Sequence, residues 1–150
     1  MGKLLAICTS PQRGTTKTPV DHAVLTSEWG IVGDAHGGNW HRQVSLLSAE
    51  KIAQFREKIW VDYGAFGENL VVEGFDFRAL PVTSRFSIGD VVLEMTQIGK
   101  ECHNDCVIKQ QTGECIMPRE GVFARVLHGG EIHVGDEVTL LRALEGRQEI

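Results

Sequence analysis

Apolar and polar residues alternate along most of this chain in short runs that glycine and aspartate interrupt. Alternation with a period of two is typical of strands that bury one face, and turn residues mark where such strands end. On this basis seven segments are predicted to form strands: residues 4–9, 21–25, 43–47, 69–73, 85–88, 91–98 and 137–141. The pattern therefore predicts a mainly β fold with short helices.

Two segments depart from the alternation and are predicted to be helical. Ser48, a residue type that caps helix starts, precedes three apolar residues at helical spacing, which are Ile52, Phe55 and Ile59. A second short helix is predicted over residues 118–127, because proline stands near its start and two glycines follow its end. Many strands with one or two helices favour a β-barrel decorated by helices over alternating βαβ units.

Gly-Asp pairs recur between apolar residues at three places, within residues 31–35, 88–92 and 134–138. Glycine followed by aspartate is typical of a tight turn that enters a strand, and we interpret the second and third copies in this way. The first copy differs because a histidine and two glycines follow it. That copy is therefore a candidate for a functional loop.

Length and charge narrow the class of protein. A chain of 150 residues without a shift in composition fits one domain with a single core. The net charge of -5 argues against a general nucleic-acid binder but permits a local basic pocket for a small anion. The apolar run from Leu4 to Cys8 is too short for a signal peptide or a membrane span. We expect a cytoplasmic protein with reduced thiols, in which Cys8 is an inert core residue.

The first stretch with candidate chemistry covers residues 33–47. Asp34, His36 and Arg42 stand there beside two glycines, which let a backbone approach a ligand closely. His36 and His41 are also possible metal ligands, although no HExxH helix is present. The alternative interpretation is a surface loop with incidental histidines.

Two further stretches carry polar groups. Glu68 and Asn69 stand at the entrance of a predicted strand, where an acid and an amide often only satisfy a turn. In residues 117–127, Arg119 is placed to face an anion near the predicted helix start, while Arg125 falls on the polar face.

A cysteine-rich stretch, GKECHNDC at residues 99–106, allows three interpretations. A thioredoxin-like redox pair needs two intervening residues, but three separate Cys102 from Cys106. A zinc site would recruit Cys115 and His103, without a second close pair. A single working thiolate fits better, because Lys100 and His103 place positive charge near Cys102 at the end of a strand.

These stretches, in this order, resemble the MOSC domain, named for the C-terminal domain of molybdenum cofactor sulfurase. The resemblance covers about residues 28–141, and the ordered set carries it rather than any single motif. The matching parts are residues 30–38, 42–45, 67–70, 88–90, Cys102, residues 121–127, 129–130 and 135–136. It implies a stand-alone, bacterial-type MOSC domain with a β-barrel fold.

The resemblance also implies a function. In relatives the cysteine at the position of Cys102 either carries a persulfide or binds the molybdenum of the cofactor. We therefore expect a protein that binds or handles the molybdenum cofactor, with Cys102 as catalytic thiolate and metal ligand, and with reduction of N-hydroxylated compounds as one use. The expected cofactor-binding residues are Asp34, His36, Arg42, Glu68, Asn69, Lys100 and Arg119.

Two alternative functions remain open. One is a persulfide carrier that delivers sulfur to metal–sulfur cofactors without a bound cofactor, so that sulfur-donor or sulfur-acceptor proteins become its partners. The other is a zinc-bound or metal-free structural module. At the level of the family there is also an association with pyridoxal phosphate binding. Glu101 stands where many relatives have proline, and Cys106 is an addition to the pattern. We predict that Asp34, His36 and Arg42 share a pocket with Cys102.

Overall fold

A computed structural model describes residues 2–12, 16–99 and 120–142 of the chain. Within these ranges the elements are mainly strands, as predicted. In chain order they are β1 (Gly2–Thr9), β2 (Thr18–Val20), β3 (His22–Thr26), β4 (Gly30–Ile31), β5 (Val44–Ser48), α1 (Ala49–Arg56), β6 (Leu70–Glu73), a 3₁₀ helix (Phe77–Ala79), β7 (Arg85–Ile88), β8 (Val91–Ile98), β9 (Val122–His128), β10 (Gly130–His133) and β11 (Glu137–Arg142).

Seven strands close into a barrel in the order β11-β7-β8-β9-β5-β6-β1, and β1 returns to β11. Neighbouring strands are antiparallel except β5 and β6, which run parallel and are connected through α1. A parallel pair needs such a crossover, because a tight hairpin only joins antiparallel strands. β2 extends the sheet beyond β1, and β10, β3 and β4 form a separate three-stranded sheet. The predicted β-barrel is confirmed.

Apolar side chains fill two separate regions. One fills the barrel interior and includes Val44, Leu46 and Leu93, while the other lies between the barrel wall and α1 and includes Leu47 and Phe55. Successive residues of a strand point to opposite faces. β5 therefore contributes to both regions, which explains why all five of its residues are buried.

The first predicted helix is confirmed as α1, but it is shorter than the apolar pattern indicated. Ile52 and Phe55 are buried, whereas Ile59 lies beyond the helix end with 53% of its surface exposed. Ser48 occupies the N-cap position without capping, because its hydroxyl donates to the Phe75 carbonyl at 2.7 Å. No helix in the described ranges is long and apolar enough to cross a membrane.

The second predicted helix, over residues 118–127, is wrong from residue 122 onward, although Glu120 is helical. Residues 122–127 belong to β9, which pairs with β8 on one side and β5 on the other. Ala124 and Val126 point into the barrel and Arg125 points out, which is the period of a strand. The apolar residues around Arg125 are spaced so that they fit either a helix or a strand. Backbone pairing on both sides of β9 stabilises the strand.

All three Gly-Asp pairs form turns, and in each the glycine has a positive φ. The φ angles are 58° at Gly89 between β7 and β8, 99° at Gly135 before β11, and 88° at Gly33. The interpretation of the second and third copies as strand entrances is confirmed. The first copy instead follows β4 and leads into an irregular loop.

Candidate functional site

The loop of residues 32–43 joins β4 to β5 and contains three of the predicted cofactor-binding residues. Backbone hydrogen bonds anchor it at two places. The Ala35 N–H donates to the Ser10 carbonyl at 2.9 Å, and the Gly38 N–H donates to the Trp29 carbonyl at 2.7 Å. The first bond attaches the loop to the chain just after β1, so residues far apart in sequence meet there.

Asp34 is the polar centre of this loop. Its side chain is fully buried and accepts hydrogen bonds from Lys17 Nζ at 2.8 Å and from the Ser10 and His36 N–H groups, each at 3.0 Å. Burial by itself would raise the pKa of Asp34. The hydrogen bond and charge of Lys17, with the two N–H donors, outweigh burial and hold that pKa below its usual value. Asp34 is therefore a buried carboxylate in its charged form.

Lys17, which sequence analysis missed, provides the positive charge of the site. Its side chain is 1% exposed, and Nζ donates to Asp34 Oδ1 and to Ser10 Oγ at 3.0 Å. An ammonium group has three protons, so these two contacts leave one for a further acceptor. A single lysine between two threonines has no local pattern that would have indicated burial.

Aromatic rings connect the other two predicted residues of the loop. The His36 ring stacks on Trp40, with centroids 6.2 Å apart and planes 9° apart. Arg42 Cζ lies 4.7 Å from the Trp40 ring centroid and 5.6 Å from that of Phe123. Arg42 Nε is buried and has no hydrogen-bond partner in the described part of the chain. This guanidinium nitrogen is therefore a donor without an acceptor among these residues.

His41 does not join His36 in a metal site in this structure. His41 Nε2 forms a hydrogen bond with Gln97 Oε1 at 2.7 Å, and the Thr96 hydroxyl donates to the His41 carbonyl. Both contacts hold His41 against β8. Within residues 2–12, 16–99 and 120–142, no group of three or more histidine, cysteine, aspartate or glutamate side chains is arranged to hold a metal ion.

Glu68 lies in a different hydrogen-bond network. It is completely buried, and its two carboxylate oxygens accept from the Gly64 N–H at 2.7 Å and the Phe66 N–H at 3.0 Å. Burial raises the pKa of Glu68 to about 7, although these N–H groups and the charge of Lys17 act in the opposite direction. Its oxygens stabilise the turn before β6. This agrees with the alternative interpretation of the motif, in which an acid at a strand entrance only satisfies a turn.

Asn69 holds two strands and the end of β1 together. Its Oδ1 accepts from the Ser45 N–H at 2.9 Å, and its Nδ2 donates to the Cys8 carbonyl at 3.0 Å. Cys8 is a buried free thiol whose pKa is raised by burial and by Glu68, which confirms it as a core residue. Cofactor contact by Glu68 or Asn69 stays a prediction, while their described contacts are all internal.

The structure thus brings some of the predicted residues together. Asp34 and His36 are adjacent, and Arg42 joins them through Trp40. Lys17 links this group to the Glu68 turn, because its backbone N–H donates to the Gly64 carbonyl at 2.8 Å. Six candidate site residues lie outside the described residues: Lys100, Cys102, His103, Cys106, Cys115 and Arg119. A shared pocket with Cys102 stays a prediction.

Comparison with known families identifies the class of protein. The family model of the MOSC domain matches residues 33–139, which include the loop, the Glu68 turn and most of the barrel. The chain belongs to the MOSC domain family. No curated protein matches it.

Solved structures share the fold at low sequence identity. The YuaD protein of Bacillus subtilis is 18% identical with a TM-score of 0.75, and the match covers 93% of this chain and 96% of that one. YiiM of Geobacillus stearothermophilus is 19% identical with a TM-score of 0.75, covering 97% and 78%. YiiM of Escherichia coli is 18% identical with a TM-score of 0.67, covering 93% and 69%. These likenesses establish the barrel and not the activity.

Proposed function

We propose that this MOSC domain binds the molybdenum cofactor, to hand it on or to reduce N-hydroxylated compounds with it, and that Cys102 is its thiolate ligand. The family is associated with binding of this cofactor. The observation that carries the proposal is the buried Arg42 Nε without a partner in the described residues, in a loop whose Asp34 is paired with Lys17.

The residues of the loop fit an anionic group of this kind. The cofactor carries a phosphate on a pterin, and guanidinium and ammonium groups are its natural donors. Arg42 and Lys17 each retain donor capacity, and Asp34 fixes the position of the Lys17 ammonium by a 2.8 Å contact. Glu68 does not add a group for an anion, because its carboxylate is buried against backbone donors.

Each residue has a separate role in this proposal. Arg42 and Lys17 bind the anionic part of the cofactor, while Asp34 orients Lys17 and balances its charge inside the protein. Trp40 holds the Arg42 guanidinium by a cation–π contact, which limits the positions that it can adopt. When bound, the cofactor supplies a molybdenum centre, for which a soft thiolate such as that of Cys102 is a suitable ligand.

The test is metal and pterin content of protein purified from molybdenum-replete cells, by mass spectrometry and pterin fluorescence. We expect both in the wild type, neither in C102S, and reduced amounts in R42Q with an unchanged circular dichroism spectrum. C106S is the matched cysteine control and should retain most of the cofactor.

Two results would contradict the proposal. Protein without molybdenum or pterin, but with a persulfide on Cys102 detected by alkylation and mass spectrometry, would identify a sulfur carrier instead. Stoichiometric zinc that both cysteine variants lose, with loss of the fold, would identify a structural metal module.

A further inference from the structure

A cavity of about 690 Å³ lies over β8 and β9, beside the loop of residues 32–43. Neither Lys17 nor Asp34 lines this cavity. Three short segments form its walls together with the two strands: residues 27–28, residues 39–41 and residues 82–83. Of the loop residues discussed above, Trp40 and His41 line it, whereas Asp34, His36 and Arg42 do not. Its volume is in the range of small-molecule sites.

Two strained residues line this cavity. Glu28 has a φ of 63° and Thr83 a φ of 85°, and they are the two non-glycine residues with positive φ in the described ranges. A positive φ is unfavourable for a β-branched residue such as threonine. Strained backbone of this kind persists where surrounding contacts enforce it, and it concentrates at ligand sites. The occurrence of both residues at one cavity therefore indicates a function for it.

Backbone contacts with β8 hold Thr83 in this conformation. The Thr83 N–H donates to the Met95 carbonyl at 2.9 Å, and the Met95 N–H donates to the Ser84 carbonyl at 2.8 Å. The Thr83 hydroxyl oxygen is buried without a hydrogen-bond partner in the described structure. An unpartnered buried hydroxyl costs stability, and a ligand in the cavity would give it a partner after rotation about χ1.

One charged side chain at the cavity, Arg125, is a suitable donor for a carboxylate. Glu94 lies between two arginines, with Arg85 Nη2 3.2 Å from Oε2 and Arg125 Nη2 2.8 Å from Oε1. Arg85 and Arg125 together balance Glu94 and Glu28, so these four side chains carry no net charge, and a ligand anion would be held by a local donor rather than by the net charge of the cavity. Arg125 is half exposed and uses Nε and Nη2 on Glu94, so Nη1 is available to a further acceptor. The exposed Glu28 at the rim disfavours anions of higher charge.

We propose that this cavity binds a small organic monocarboxylate with an apolar body. Arg125 Nη1 and the Thr83 hydroxyl hold the carboxylate, while Trp40, Val82 and Leu127 contact the body. Val82 is 41% exposed, as expected for an apolar residue that a ligand covers. The inference stands apart from the cofactor proposal, because it uses neither Cys102 nor the Lys17–Asp34 pair.

Benzoate and its neutral isostere benzamide are suitable probes, followed by NMR shifts of backbone amides in uniformly labelled protein. We expect benzoate to shift residues 82–84, 94–96 and 125–127, and benzamide to bind about tenfold more weakly or worse, because it lacks the charge. R125Q and T83V should each weaken benzoate binding by about tenfold. The matched controls R78Q and T139V replace the same residue types elsewhere.

T83V also has a stability readout. It retains the shape of threonine and removes the unpartnered hydroxyl, so its melting temperature should equal or exceed that of the wild type while its benzoate affinity falls. The proposal is overturned by equal affinity for benzoate and benzamide, by unchanged affinity in both variants, or by no benzoate shifts up to about 10 mM. R125Q tests the site independently if T83V does not fold.

Discussion

Asp34 and Glu68 are both buried carboxylates, yet their surroundings differ in one respect. Asp34 has a lysine in direct contact and two backbone N–H donors, whereas Glu68 has two backbone N–H donors and, among the described residues, no cation in hydrogen-bond contact. The pKa of Asp34 is lowered, while burial raises that of Glu68 to about 7. A direct cation is what separates the carboxyl whose pKa is lowered from the one whose pKa is raised.

Lys17 stands between the two regions. Its ammonium faces Asp34, and its backbone N–H donates to the Gly64 carbonyl in the turn that Glu68 stabilises. The Asp34 region is therefore held by side-chain charge, and the Glu68 region by backbone packing around Gly64. Substitutions in each region should reveal this difference.

The largest effect is expected from G64A, in the Glu68 region. Gly64 has a φ of 94°, and a Cβ there would lie 2.1 Å from the Lys17 carbonyl oxygen. Moving the two backbone segments apart would break the hydrogen bond from the Lys17 N–H to the Gly64 carbonyl. We expect a loss of more than about 4 kcal/mol in the free energy of unfolding, measured by urea denaturation. Wild-type stability in this variant would show that the turn is not closely packed.

The next largest effect is expected from D34N, which leaves the buried Lys17 ammonium without a counter-charge. Removing one partner of a buried ion pair costs about 3–5 kcal/mol. Asparagine retains the shape but replaces one acceptor oxygen by an NH2 donor, so the loss would report charge and one hydrogen-bond acceptor rather than packing. Urea unfolding of D34N, K17M and the double variant measures the coupling. If the two single losses simply add, the pair does not act as a unit.

The Lys17–Asp34 pair also shows which contacts could not be predicted from the sequence. Asp34 and His36 were predicted to act together because they stand two residues apart beside glycines, and they are in contact. Lys17 is 17 residues from Asp34 and its neighbours carry no pattern, so only the fold brings the two together. The donors to Glu68 are local, since Gly64 and Phe66 precede it by four and two residues, but the burial of this turn depends on the fold around it.

The strands of the barrel could likewise be predicted from the sequence only in part. Gly-Asp turns and period-two alternation predicted most strands, since both are local properties of the chain. Residues 118–127, which include most of β9, were predicted as a helix because proline stands near the start of this segment and two glycines follow its end. Its pairing with β5 and β8 is a property of the whole sheet.

Glu68 should make stability depend on pH in the opposite sense to Asp34. Its folded pKa of about 7 exceeds its ordinary value of 4.5, so between these values the folded state binds a proton that the unfolded state lacks. Stability should therefore fall by about 3 kcal/mol as pH rises from 4.5 to 7. Asp34, whose pKa is lowered, contributes stability that is lost only as pH falls through its folded pKa.

Urea unfolding at a series of pH values separates the two carboxylates. E68Q should remove the decrease between pH 4.5 and 7, and D34N should leave it in place. An unchanged slope in E68Q would assign this pH dependence to another group.

The smallest effect is expected from G33A, the counterpart of G64A in the Asp34 region. Gly33 has a φ of 88°, but a Cβ there would meet no atom within 4 Å. The cost is then only that of a left-handed backbone in an L-residue, about 1–2 kcal/mol by urea unfolding. G33N is the matched control, since asparagine tolerates this region better and should lose less than alanine. If G33A cost as much as G64A, backbone packing would hold both regions, and the contrast between charge and packing would not explain them.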